Sequence, residues 1–180
     1  MKGNGMRALI VYESMFGNTA AVAEAIADGL RPDYEVQLCP VADAVNHRAP
    51  QVDLLVVGGP THAFGLSRAT TRQDAATRTT APIETEIGVR EWLDAALPVS
   101  SPSPAAAFGT KVARPPWLPG SAAKGIGKRL RNLGYRLAVA PTDFHVSAMT
   151  GPLTPGERER ATAWATKLAA TRPELPKATR

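Results

Sequence analysis

The chain has a single cysteine, Cys39, so it can form no internal disulfide and no cysteine-clustered zinc or iron–sulfur site. Its three histidines, His47, His62 and His145, are too few and too scattered to suggest a metal site. No apolar run approaches the roughly 20 residues needed to span a bilayer. The opening residues Met1-Lys2-Gly3-Asn4-Gly5 lead straight into a strand-like segment, with no apolar signal region. The expectation is a soluble, cytoplasmic protein with no membrane insertion.

Acidic residues are missing from one long stretch. None lies between Asp94 and Asp143, which holds Lys111, Arg114, Lys124, Lys128, Arg129, Arg131 and Arg136. The net charge is +5, so the rest of the chain carries −2 and the basic character is regional. Such a region is either a solvated helix face or a surface that attracts an acidic partner or holds an anion. It lacks the interleaved aromatics of a base-stacking surface, which argues against nucleic acid.

What is present is an alternation of strands and helices within 180 residues, a length that suits one domain. Arg7 to Tyr12 is a short apolar run, as in a strand buried on both faces. Thr19 to Leu30 has helical spacing and ends at Arg31-Pro32. Tyr34 to Leu38 alternates like an edge strand, and Val52 to Val57 is a second buried run, stopped by Gly58-Gly59-Pro60. Helices are expected over 67–76 and 89–97, and a small-residue strand over 105–108. Ser121 caps a helix to about Leu133 that Gly134 terminates, and a strand follows from Tyr135 to Ala140. Phe144 to Met149 continues that strand or forms another. Thr154 and Glu157 are spaced as a capping box for a last helix. The core spans about 6–170, and 171–180 reads as a frayed tail. The pattern predicts a doubly wound parallel sheet with helices on both faces, whose ligands bind beyond the carboxyl ends of the strands.

Three loops lie at that edge. The first is Glu13-Ser14-Met15-Phe16-Gly17-Asn18-Thr19, two hydroxyls, an amide and a glycine at the start of a helix, with no lysine. Amides at a helix N-terminus, with Ser and Thr hydroxyls, bind phosphate without a cation. The residues fit a simple helix cap equally well. Neither a Walker A loop nor a Gly-x-Gly-x-x-Gly fingerprint is present. The second loop is Gly58-Gly59-Pro60-Thr61-His62-Ala63-Phe64-Gly65-Leu66-Ser67, which reads as a strand–helix turn or as backbone able to approach a flat ligand. The third is Phe108-Gly109-Thr110-Lys111-Val112-Ala113-Arg114-Pro115-Pro116-Trp117.

Ser14-x-x-Gly17-x-Thr19 after a first strand resembles the phosphate loop of the flavodoxin-like family, with Phe16 where the common form has threonine. The second loop is similar to the flavin-ring loop of that family. The resemblance covers about Arg7 to Ala170 and implies a five-stranded parallel sheet in the order 2-1-3-4-5 and FMN as cofactor. It implies that Ser14, Met15, Phe16, Gly17, Asn18 and Thr19 hold the phosphate. His62, Ala63 and Phe64 would then lie against the ring beside Pro60, Thr61 would bond its polar edge, and Gly65 would offer a backbone group to N5. Phe108, Gly109, Thr110, Lys111 and Trp117 would cover the other face, Trp117 by stacking unless it plugs a gap between helices. A Lys111 cation about 5 Å from the ring would attract negative charge there by about 3 kcal/mol at an effective dielectric of about 20, raising the second-electron potential by up to roughly 140 mV. Receiver domains share the topology but need an acidic pair after the first strand, where Glu13 is solitary.

No nucleophile–base constellation is visible, since Ser14 and Ser67 have no evident partners and Cys39 reads as a core thiol. The first reading is therefore an FMN-binding electron carrier with a redox partner, an acidic one on charge grounds. The alternative is an FMN-dependent NAD(P)H:quinone-type oxidoreductase acting on a small quinone-like substrate, in which His62 or Lys111 supplies a proton or a charge. A flavin-free interaction module is the third.

Overall fold

In β1 (Met6–Tyr12), side chains alternate between two separate apolar cores, because successive residues of a strand point to opposite faces. Ala8 and Ile10 join one core and Leu9 and Val11 the other. The same alternation recurs in β3 (Leu54–His62) and β5 (Pro104–Val112), so both faces of the sheet must be covered. The structure, a computed structural model, describes residues 5–48, 50–113, 115, 117 and 119–171. The expected tail over 171–180 therefore lies, beyond Thr171, outside the described residues.

Helices α1 (Asn18–Leu30) and α5 (Glu157–Ala170) cover one face. Helices α3 (Val89–Asp94) and α4 (Ala122–Asn132) cover the other. Close packing of the first pair is visible at Gly29, where a Cβ would lie 2.5 Å from the Thr162 carbonyl oxygen. With β2 (Tyr34–Pro40) at one edge, the parallel order runs β2-β1-β3-β5 and then a last strand. That strand is split into β6 (Arg136–Leu137) and β7 (Thr142–Val146), each pairing in parallel with a different part of β5. Pro141, which has no N–H to give the ladder, lies in the break and packs toward Gly127 of α4. The expected 2-1-3-4-5 order is thus observed with an interrupted fifth strand. The continuous strand expected over 135–140 is not.

Several boundaries differ from expectation: the helix expected over 89–97 ends at Asp94, and the strand expected over 105–108 spans Pro104–Val112. Strand β3 does not stop at Gly58 but runs to His62, because its ladder with β5 continues to Pro60–Thr110. β1 ends opposite Gly58, so Pro60 sits where β3 has lost one neighbour. Beyond it, His62 and Thr61 pair with the short antiparallel β4 (Gly65–Leu66). The helix expected from Ser67, α2 (Ala69–Ala76), starts two residues later. Finally, Thr154 and Glu157 do not form a capping box. Gly156 is the N-cap of α5, at φ 87°, and the Glu157 carboxylate instead accepts from His145 N at 2.6 Å and from the Arg160 guanidinium. Charge-assisted bonds to arginine outweigh a reach back to a neutral amide.

Candidate functional site: a cleft at the strand ends

The loops after β1, β3 and β5 meet over the carboxyl ends of their strands and enclose a cavity of about 270 Å³. Ser14, Met15, Phe16, Asn18 and Thr19 form one side, and Pro60, Thr61, His62 and Ala63 the next. Thr110, Lys111 and Val112 come from β5, with Val146 and Met149 beyond. A fourth wall comes from α2 and the residues after it: Thr71, Asp74, Ala75 and Arg78.

In the first loop, Gly17 caps α1 at φ 84°, a left-handed conformation that disfavours any side chain. Ser14 Oγ accepts from Ala20 N at 3.1 Å. The hydroxyls of Thr19 and Thr110 bond to each other at 2.8 Å in a buried setting, and Asn18 Nδ2 donates to the Thr150 carbonyl at 3.2 Å. Among the described residues, none accepts from the backbone amides of residues 15–19. These orphan donors, at the positive end of the helix dipole, belong to a loop of which Met15, Phe16, Asn18 and Thr19 line the cleft. Glu13 does not oppose them, because both of its carboxylate oxygens bond elsewhere, to Ser67 and to Val89 N.

In the second loop, Ala63 (φ 43°) and Phe64 (φ 72°) form the two-residue turn between β3 and β4. Two left-handed non-glycine residues in succession are unusual and cost about 1–2 kcal/mol each. Thr61 Oγ1 accepts from Ala122 N at 3.0 Å and so caps α4 alongside Ser121, whose hydroxyl accepts from Lys124 N. Burial and the nearby Arg72 charge push the His62 imidazole below its ordinary value, so it is neutral at pH 7 and has no charge to give. Phe64 points outward, and neither it nor Gly65 or Gly17 lines the cavity.

In the third loop the strand's alternation separates the expected residues. Thr110 faces the first loop, whereas Lys111 Nζ donates to the Gly120 carbonyl at 3.0 Å. Phe108 is fully buried in the core, and its ring occupies the space of the missing Gly58 side chain: a Cβ there would lie 2.0 Å from the ring. The aromatic that Gly58 admits is therefore the protein's own, and Phe108 lines no ligand surface. Gly109 is equally enclosed, with Asp143 and the Ala123 amide against its Cβ position. Trp117 is 78% exposed and outside the cleft; it neither plugs a gap between helices nor lines the cavity. Arg114 of this loop lies outside the described residues.

The α2 wall escaped sequence reading because of what anchors it. Arg72 is fully buried. Its guanidinium donates to Ser67 Oγ at 2.8 Å, to the carbonyls of Thr85 and Glu86, and pairs with Glu91 at 3.1 Å. Ser67 in turn donates to Glu13, so the serine without an evident partner has two, both buried. Gly88 makes room for this network: a Cβ would lie 2.4 Å from Arg72 Nη1. An arginine in the interior reads from sequence as a surface residue. Only the i, i+3, i+4, i+7 spacing of Thr71, Asp74, Ala75 and Arg78 hinted at a common face. Among the described residues no group of His, Cys, Asp and Glu could hold a metal ion, and no helix is long and apolar enough to cross a membrane.

Comparison with known proteins agrees with this geometry. The flavodoxin family model matches residues 10–89, which include the first two loops. No curated protein matches the chain. Among solved structures, a flavodoxin from the domain Archaea is similar at 22% identity and TM-score 0.64, over 92% of this chain and 97% of that one. Oxidised flavodoxin 2 from Bacillus cereus is similar at 19% identity and TM-score 0.67, over 92% and 99%. A flavodoxin, WrbA-like protein from Agrobacterium tumefaciens gives 17% identity and TM-score 0.56, over 92% and 96%. With the sheet order and the helices on both faces, these likenesses show that the chain has a flavodoxin-like fold.

Proposed function

We propose that the cleft holds FMN and that the protein carries electrons to or from a redox partner. One observation carries this reading: residues 15, 16, 18 and 19, whose amides have no acceptor among the described residues, line the same cavity that Thr61, His62 and Ala63 wall on one side and Thr110, Lys111 and Val112 on another. The donor set fits a monophosphate, since a helix N-terminus with free N–H groups is an anion site and Glu13 is turned away. FMN, when bound, supplies the redox chemistry, and the chain binds, orients and tunes it. The amides of the first loop would hold the phosphate. Thr61, His62 and Ala63 would flank the ring, with the imidazole neutral. Lys111 would bring positive charge to the β5 side.

The basic stretch between Asp94 and Asp143 favours a partner with an acidic surface.

The purified protein is expected to show, as isolated or after FMN addition, absorption bands near about 370 and about 450 nm. FMN at about 100 times its dissociation constant should also stabilise it by about 2.7 kcal/mol. A colourless protein that gains neither bands nor stability would leave the interaction module standing. Sustained turnover of NAD(P)H with a quinone would select the oxidoreductase instead.

A further inference from the structure

We infer that Arg78 is the cation that meets the phosphate of bound FMN and sets the preference for FMN over riboflavin, an inference that rests on the flavin reading. The first loop has no lysine or arginine, and its polar side chains are already engaged within the protein. Ser14 Oγ accepts from Ala20 N, Thr19 bonds Thr110 and Asn18 donates to Thr150, which leaves neutral donors only, while Phe16 brings an apolar ring. Without a cation from elsewhere, only neutral donors would face a dianion.

Two cations line the cleft among the described residues, Lys111 and Arg78. Lys111 is poorly placed for the phosphate. It stands on β5, separated from β1 by β3 and so about 10 Å across the sheet. Alternation turns it away from the Thr110 face that meets the first loop, and the Gly120 carbonyl holds its ammonium. Arg78 has neither restriction. Its guanidinium has no hydrogen bond or ion pair among the described residues, not even with Asp74 one turn earlier. Its backbone is fixed by Arg78 N to the Ala75 carbonyl at 3.0 Å. Buried Arg72 locks α2 in place, so Arg78 is presented from a rigid wall to the cavity that Ser14, Phe16 and Asn18 share. A planar guanidinium matches two phosphate oxygens at once.

The test is a fluorescence titration of apo wild type, Arg78→Gln and Arg78→Lys with FMN and with riboflavin. Arg78→Gln should weaken FMN binding about tenfold to a hundredfold and leave riboflavin unchanged. Arg78→Lys should keep part of the preference, and the apo melting temperature should stay at the wild-type value because Arg78 holds nothing in the fold. Unchanged FMN affinity in Arg78→Gln, or equal weakening of both flavins, would overturn the assignment while leaving the flavin reading intact. A wild type that binds neither flavin would overturn the reading and the assignment together.

Discussion

The hydroxyl oxygens of Thr19 and Thr110 lie 2.8 Å apart in a buried contact, so the start of α1 and the end of β5 are joined beneath the cleft. Replacing either threonine with valine keeps the shape but leaves the other hydroxyl buried without its partner. Each single variant should lose about 1–3 kcal/mol, whereas the double variant, with both partners apolar, should recover most of it. Urea denaturation of the four proteins measures the cycle. Additive losses would mean that the two hydroxyls stabilise the fold separately.

Gly58 and Phe108 are a matched pair of a different kind. The Phe108 ring fills the Gly58 Cβ position and meets Phe144 edge-on at 6.5 Å between centroids. Gly58→Ala should therefore cost about 2–3 kcal/mol by overpacking, lowering the melting temperature by about 5–10 °C. Adding Phe108→Leu to Gly58→Ala should restore part of that loss, although Phe108→Leu alone destabilises. A Gly58→Ala protein that melts like wild type would show that the Phe108 ring does not require the glycine.

Glycine and alternation explain what was and was not legible beforehand. The two-faced strands Arg7–Tyr12 and Leu54–Val57 are continuous apolar runs, and from them a parallel sheet covered on both faces and the position of the cleft follow, whereas the strand order comes from the family resemblance. The loop residues Ser14 to Thr19 and Pro60 to Ala63 were legible because glycine and hydroxyl spacing at a strand end is a local signal. Phe108, Gly109 and Trp117 were misassigned because a loop's sequence does not say which of its residues turn inward. Phe108 went to the core, and Trp117 to solvent. The α2 wall was illegible for a stronger reason. Its anchor is an arginine buried by Ser67, Glu13, Glu91 and two carbonyls from 84–91, partners brought together only by the fold.

Two buried glutamates should respond to acid in opposite senses. Burial pushes Glu13 above its ordinary value of 4.5, outweighing the bonds from Ser67 and Val89 and the charge of Arg72. The folded state thus holds the Glu13 proton more tightly, and its contribution is full below 4.5 and lost as pH rises through the higher folded value. Glu157 is held below 4.5, first by the hydrogen bonds of Arg160, so it stabilises above 4.5 and fails as pH falls through the lower folded value. On acidification from neutrality, wild type should gain stability relative to Glu13→Gln and lose it relative to Glu157→Gln. Parallel slopes in a pH series of urea midpoints would remove the distinction.

Lys111 carries the last prediction. Lys111 lines the cleft and its ammonium donates to a neutral carbonyl, that of Gly120, so its charge is uncompensated by any carboxylate among its contacts. A positive charge there favours the reduced, more negative form of a bound flavin. At about 5 Å and an effective dielectric of about 20 the attraction is about 3 kcal/mol, and solvent screening makes this an upper bound. Lys111→Met should lower the one-electron potential of the second reduction step of the FMN-loaded protein by up to roughly 140 mV, and Lys111→Glu should lower it further, because a repulsion replaces the attraction. The Met variant also separates charge from tether, since both variants lose the Gly120 bond but only one adds a negative charge. Spectroelectrochemical titration at low salt reads the difference. Equal potentials in wild type and both variants would place the ammonium away from the ring and reduce Lys111 to a tether for Gly120.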